Sequence, residues 1–141
     1  MEKFDKTLVL TGSIVVAPAE DIAGVWVGHC LDFDIISQGD NPNEAIEAVI
    51  EAVAMAILDD LQAGLDPCDR PRAPDEDWVR LAKVLKHGQQ VKLSDVKADH
   101  KMVLATLARF VFEPRAKHDH DGFDQFNVPP ETAHVNHQWA A

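Results

Sequence analysis

The sequence predicts an α+β fold: a small antiparallel sheet of three or four strands with a helix packed on one face, followed by a C-terminal helical and irregular extension. Three observations predict it. Apolar runs rich in β-branched and aromatic residues crowd the chain before Asp40, joined by connections too short for crossovers. A capped, amphipathic helix signature follows them at once. Beyond residue 66 the composition turns charged and proline-rich.

The first strand falls within Thr7 to Val16, where Leu8-Val9-Leu10 and Ile14-Val15-Val16 flank Thr11-Gly12-Ser13. Glycine inside such a pattern predicts a bulge or bend. Pro18 to Ala23 turns the chain into a second strand, Gly24-Val25-Trp26-Val27-Gly28-His29-Cys30-Leu31. The third, Asp34-Ile35-Ile36-Ser37-Gln38, stops at Gly39-Asp40-Asn41-Pro42. Together they read as a meander whose edges are open to a strand from another copy or from a partner.

The helix start is the best-specified point in the chain. With Asn41 as N-cap, Pro42 falls at N1 and Glu44 at N3, the spacing of a capping box. Ile46, Val49, Ile50, Val53, Ile57 and Leu61 then recur at helical spacing, Glu44, Glu47 and Glu51 lie on the other side, and Gly64 stands at C′. Ala45, Ala48, Ala52, Ala54 and Ala56 keep the helix slim enough to approach a sheet, or a second copy, closely. Packing on its own sheet is the plain structural expectation.

From Trp26 to Asp34, through Ile35-Ile36-Ser37-Gln38-Gly39-Asp40, and on through Pro42-Asn43-Glu44-Ala45 and the alanine-rich helix, the chain resembles the HicB-like antitoxin core. In that family a strand ends in a Gln-Gly-Asp turn and a helix start of the Asn-Glu-Ala kind follows. The resemblance spans about residues 7 to 63, under half of the chain, and its motif is Trp26, Gln38, Gly39, Asp40, Pro42, Glu44 and Ala45. It implies a fold similar to a truncated RNase H, without catalysis, that binds and blocks a small basic RNA-cleaving toxin of the HicA type. Such proteins often add a C-terminal DNA-binding element for self-repression. The acidic positions expected to meet a basic partner are Asp32, Asp34, Asp40, Glu47 and Glu51. The competing expectations are a stand-alone homo-oligomeric module, a dimer or larger, with another ligand or none, and a DNA-binding autorepressor.

Charge agrees with a basic protein partner. The chain of 141 residues carries a net charge of −11. Residues 1–67 hold two basic against thirteen acidic side chains, and residues 68–141 hold eleven of each, so the whole excess lies in the family-like half. That half would repel a phosphate backbone and attract a cationic protein; solubility alone explains the acidity equally well. No apolar run reaches the length of a membrane span and Met1 to Lys6 lack a signal-peptide pattern, so a cytoplasmic location is expected. Cys30 and Cys68 have no metal-ligand spacing and read as reduced thiols.

The expected organisation is a β-β-β-α core over 1–66, a proline-rich linker over 67–76, a helical segment over 77–112 and a tail over 113–141. Asp75 is a candidate cap for a second helix with Trp78, Leu81, Ala82 and Leu85 on its apolar face and Gly88 at its end. Its Arg80, Lys83, Lys86 and His87 read as a solvated face rather than a DNA-contacting one, because no recognition helix follows. Gln89 to Leu93 suggests a short strand and Ser94-Asp95-Val96 a cap. In residues 102–112 Val103, Leu107 and Phe110 fit helical spacing while Leu104, Ala108, Phe110 and Phe112 fit alternation; Leu-Ala-Thr-Leu-Ala tips the stretch to helix with an extended end.

The tail reads as loop. His118, His120, His134 and His137 are the only metal-like cluster, and incidental loop residues explain them better than zinc or nickel, so no metal or cofactor is expected. An enzyme reading would ask Asp32, Asp34, Asp40 and Glu44 to hold two Mg²⁺. Turn and capping duties, and the lack of cations to hold a nucleic acid, argue against it.

Overall fold

The computed structural model describes residues 7–96, 102–114, 126–127 and 133–140, with residue 94 and those from 113 onward described by backbone alone. In chain order these form β1 (Leu8–Pro18), β2 (Trp26–Cys30), β3 (Ile35–Gly39), α1 (Pro42–Gln62), α2 (Asp75–His87), β4 (Met102–Pro114), β5 (Phe126–Asn127) and β6 (Ala133–Ala140). The strands make one antiparallel sheet in the order β3-β2-β1-β4-β5, with β6 also on the outer side of β4. The α+β class stands, with α1 on one face of the sheet and α2 on the other.

The largest departure is at residues 102–112, which form strand and not helix. β4 pairs with β1 from Leu8↔Phe112 to Val16↔Leu104 without a register shift. Leu104, Ala108, Phe110 and Phe112 point into the core under α1, whereas Val103 and Ala105 point to the α2 side. Leu107, which the helical reading needs inside, is 46 % exposed. Both faces of this strand are partly covered, so its sequence runs apolar instead of alternating, and strand pairing overrides local helix propensity. The 77–112 segment is therefore no helical appendage, and the core does not end at residue 66.

Glycine at position 12 marks close packing, not a bulge. A Cβ there would stand 2.8 Å from Cys30 Sγ and 3.0 Å from the Phe110 ring.

The ends of α1 follow the sequence closely. Asn41 Oδ1 accepts the Glu44 amide at 2.9 Å, and Pro42 opens the helix. Glu44 reaches back one residue further than expected: its Oε1 accepts the Asp40 amide at 3.3 Å and its Oε2 accepts Asn41 Nδ2 at 2.9 Å. At the other end Gly64 takes φ +75°, and the Leu65 and Gly64 amides return to the Asp60 and Leu61 carbonyls, a Schellman closure.

The 67–76 stretch is tied down rather than free. The Ala73 amide donates to the Leu31 carbonyl at 2.9 Å, and Arg70 forks onto Asp60, Nε to Oδ2 at 2.7 Å and an Nη to Oδ1 at 3.1 Å. This delivers α2 to the second sheet face. Pro74, not Asp75, is its N-cap and gives no side-chain bond. Leu81 and Val84 are the residues it buries, against Val15, Leu31, Ala73, Val103 and Ala105, while Ala82 and Leu85 are exposed. Gln89 makes a single bridge and Leu93–Asp95 a 3-10 turn in place of a strand and a helix cap. Residues 133–140, expected as loop, have strand backbone against β4. No helix of the described residues is long and apolar enough to cross a membrane.

Candidate functional site

The expected site residues gather around β3, the terminal strand of the described sheet. β3 exists because the chain reverses at residues 31–34, where Asp34 adopts φ 53°, a left-handed conformation that aspartate tolerates better than bulky residues do. Alternation then gives β3 two faces. Ile35 and Ser37 are half-buried on the α1 side; Ile36, 60 % exposed, and Gln38 face the other way.

The Gln38-Gly39-Asp40 and Glu44-Ala45 motif has a packing cause. α1 comes down on β2 and β3 so closely that a Cβ on Gly39 would lie 2.6 Å from Ala45 N, and one on Gly28 would lie 2.8 Å from Ala45 O. Trp26 is buried beneath the same helix, and Pro42 at its first position is buried too. Gly39, Ala45, Trp26 and Pro42 build the platform, whose exposed side chains include Asp40, Glu44, Glu47 and Glu51 beside Ile36, Gln38 and Met55.

The five acidic candidates separate into groups. Asp32 turns inward: its Oδ2 accepts the Ser13 amide at 3.0 Å, and burial pushes its carboxyl above the ordinary value despite the Ser13 bond and the nearby Arg72. It fastens the β2–β3 turn to β1. Asp34 stays exposed, 2.7 Å from His29 Nε2 through Oδ1. Asp40 is exposed at the far end of β3. Glu47, which accepts Asn43 Nδ2 at 3.2 Å, and Glu51 are exposed on α1 together with Glu44.

The outward side of α1 carries Glu44, Glu47, Glu51 and Asp59, and the helix contains no lysine or arginine. Asp59 and Asp60 sit in its last turn, where the helix dipole is negative and carboxylates are disfavoured. Asp60 is buried and neutralised by Arg70; Asp59 is exposed.

On the opposite sheet face the sequence reading missed a cleft of about 220 Å³ lined by Val27, His29, Ile36, Glu20, Asp77 and Arg80. It forms because α2 packs nearest β4 and β6 and leaves part of the face of β1, β2 and β3 open. Alternation in β2 was the available signal, since it places His29 away from Cys30. Cys30 indeed points into the α1 core, where burial above all, with Asp32 adding, pushes its thiol up to about 12. Also unforeseen was the stacking of Arg72 on Trp78, 4.3 Å from guanidinium to ring centre.

Among the described residues no three His, Cys, Asp or Glu side chains are grouped to hold a metal. Asp32, Asp34, Asp40 and Glu44 are spread over the turn, the strand end and the helix cap. His118 and His120 lie outside the described residues; the β6 backbone places His134 opposite Leu107 and His137 opposite Ala105. Comparison of the chain with protein-family models, with curated proteins and with solved structures gave no match.

Proposed function

We propose that this chain is a HicB-like binding protein that neutralises a small, basic, HicA-like RNA-cleaving toxin by protein–protein contact in the cytoplasm. The β1-β2-β3-α1 order is the one this reading requires, with the sheet and α1 as its truncated RNase H-like core. The observation that carries it is the acidity of the exposed side of α1, which no lysine or arginine of the helix balances. An exposed carboxylate at the negative end of a helix costs about 0.3–1 kcal/mol, so Asp59 is not there for the helix, and Glu47 and Glu51 extend the same charge along its outer side. Such a surface raises the encounter rate with a cationic protein and repels nucleic acid.

The test is size-exclusion chromatography with light scattering, on the protein alone and mixed with the product of a neighbouring small basic gene. A stoichiometric complex is expected. In that complex Glu47→Lys with Glu51→Lys lowers the association rate about tenfold at low salt and flattens its salt dependence. A homo-oligomer that ignores the neighbouring product would favour the stand-alone module instead.

A further inference from the structure

We infer that the outer edge of β3 receives an extended basic segment of the partner protein as an added strand. This rests on the binding reading above and names the surface that reading leaves open.

The two margins of the sheet are treated differently. On one side the outer edge of β4 is covered by β6 and β5. On the other, β3 pairs with β2 in an unshifted register from Trp26↔Gly39 to Cys30↔Ile35 and with no other described strand. Edges that stay unpaired are commonly guarded by lysine, proline or a bulge, or by shortness and flanking charge; β3 is five residues long with Asp34 and Asp40 at its ends, and those aspartates select a cationic occupant. Ile35-Ile36-Ser37-Gln38-Gly39 has no lysine, proline or bulge. It presents Ile36 instead, 60 % exposed and bordering the cleft, in a cross-strand row that continues through His29 to Val15. An apolar side chain on an added strand would extend that row and cover Ile36.

Charge decides between occupants. If a second copy paired its β3 antiparallel about Ser37, the register that uses all five residues, Asp34 of each copy, in the turn just before the strand, would come near Asp40 of the other, just past its end. Both residues are exposed, and like charges brought together at the two ends of the paired edge oppose association. A segment with apolar residues towards Ile36 and lysine or arginine at both ends turns the same two positions into attraction. The partner strand is therefore basic and foreign, not a second copy.

The experiment follows amide hydrogen exchange in the labelled full chain with a synthetic peptide of alternating valine and lysine, about nine residues long. The lysine peptide should slow exchange within Ile35–Gly39 about tenfold, whereas a valine–glutamate peptide of the same length leaves it unchanged. Asp34→Asn with Asp40→Asn should weaken the lysine peptide about fivefold without altering exchange in α1. No slowing at β3, equal slowing by both peptides, or slowing that grows with protein concentration in the chain alone would overturn the inference, the last by showing a second copy at the edge. The chromatographic test is separate. A complex with the neighbouring gene product that leaves β3 exchanging freely defeats the edge and spares the antitoxin reading; a β3 protected by the lysine peptide with no such complex does the reverse.

Discussion

Ala45 sits directly over Gly39, so near that a Cβ on the glycine would fall 2.6 Å from the Ala45 nitrogen. The obstacle is helix backbone on one side and a hydrogen-bonded strand on the other, and neither can yield cheaply. A motif first notable as a family resemblance is thus a condition for seating α1 on β3.

Gly39→Ala should consequently destabilise the fold by about 1–3 kcal/mol through overpacking. The measurement is a urea titration followed by circular dichroism: a lower midpoint with an unchanged slope is expected. A midpoint equal to that of the parent protein would mean that α1 can lift without loss.

Arg70 and Asp60 make the second prediction. Asp60 is only 9 % exposed, and its carboxylate lies at the unfavourable end of α1, held by two guanidinium bonds. Lysine keeps the charge but not the fork, so Arg70→Lys should cost about 1–3 kcal/mol, visible as a melting point lower by several degrees. Retention of the parent melting point would show that a single ammonium serves as well.

The third concerns pH. Burial raises the Asp32 carboxyl from its ordinary 3.8, so the folded state binds its proton more readily than the unfolded chain does. Ionisation of this group costs stability: the cost is full above the folded-state value and disappears below 3.8. Asp32→Asn retains an oxygen for the Ser13 amide. It should melt higher than the parent protein at neutral pH and at the same temperature near pH 3. A variant that melts lower at neutral pH would show that the attraction of Arg72 outweighs burial.

What could be read in advance were the features encoded by neighbours in sequence. The Asn41-Pro42-Glu44 cap, the Gly64 closure and the first three strands each declare themselves within a few residues, and all are present. What could not be read depends on distant partners. Nothing local shows that Leu104 to Phe112 has β1 waiting for it, and a strand covered on both faces lacks the alternation that would distinguish it from a helix. Asp32 and Asp34 look alike in sequence, yet one is fixed to Ser13 and the other meets His29, because the turn between them sends their side chains apart. The cleft required the position of α2, which its own sequence does not specify.

The pairing of β1 with β4 has a consequence for biosynthesis. Ser13 meets Leu107, and every other pair in that ladder joins residues comparably far apart. At translation rates of about 5–20 residues per second, β1 waits on the order of 5–20 s for its neighbour to be made. During that interval the nascent chain holds its well-coded hairpin and helix but lacks Phe110 and Phe112, and β1 has a bare inner side. The locally best-written half of the molecule is thus also its most exposed to misassociation before the last central strand arrives, and long-range closure of this kind is slow.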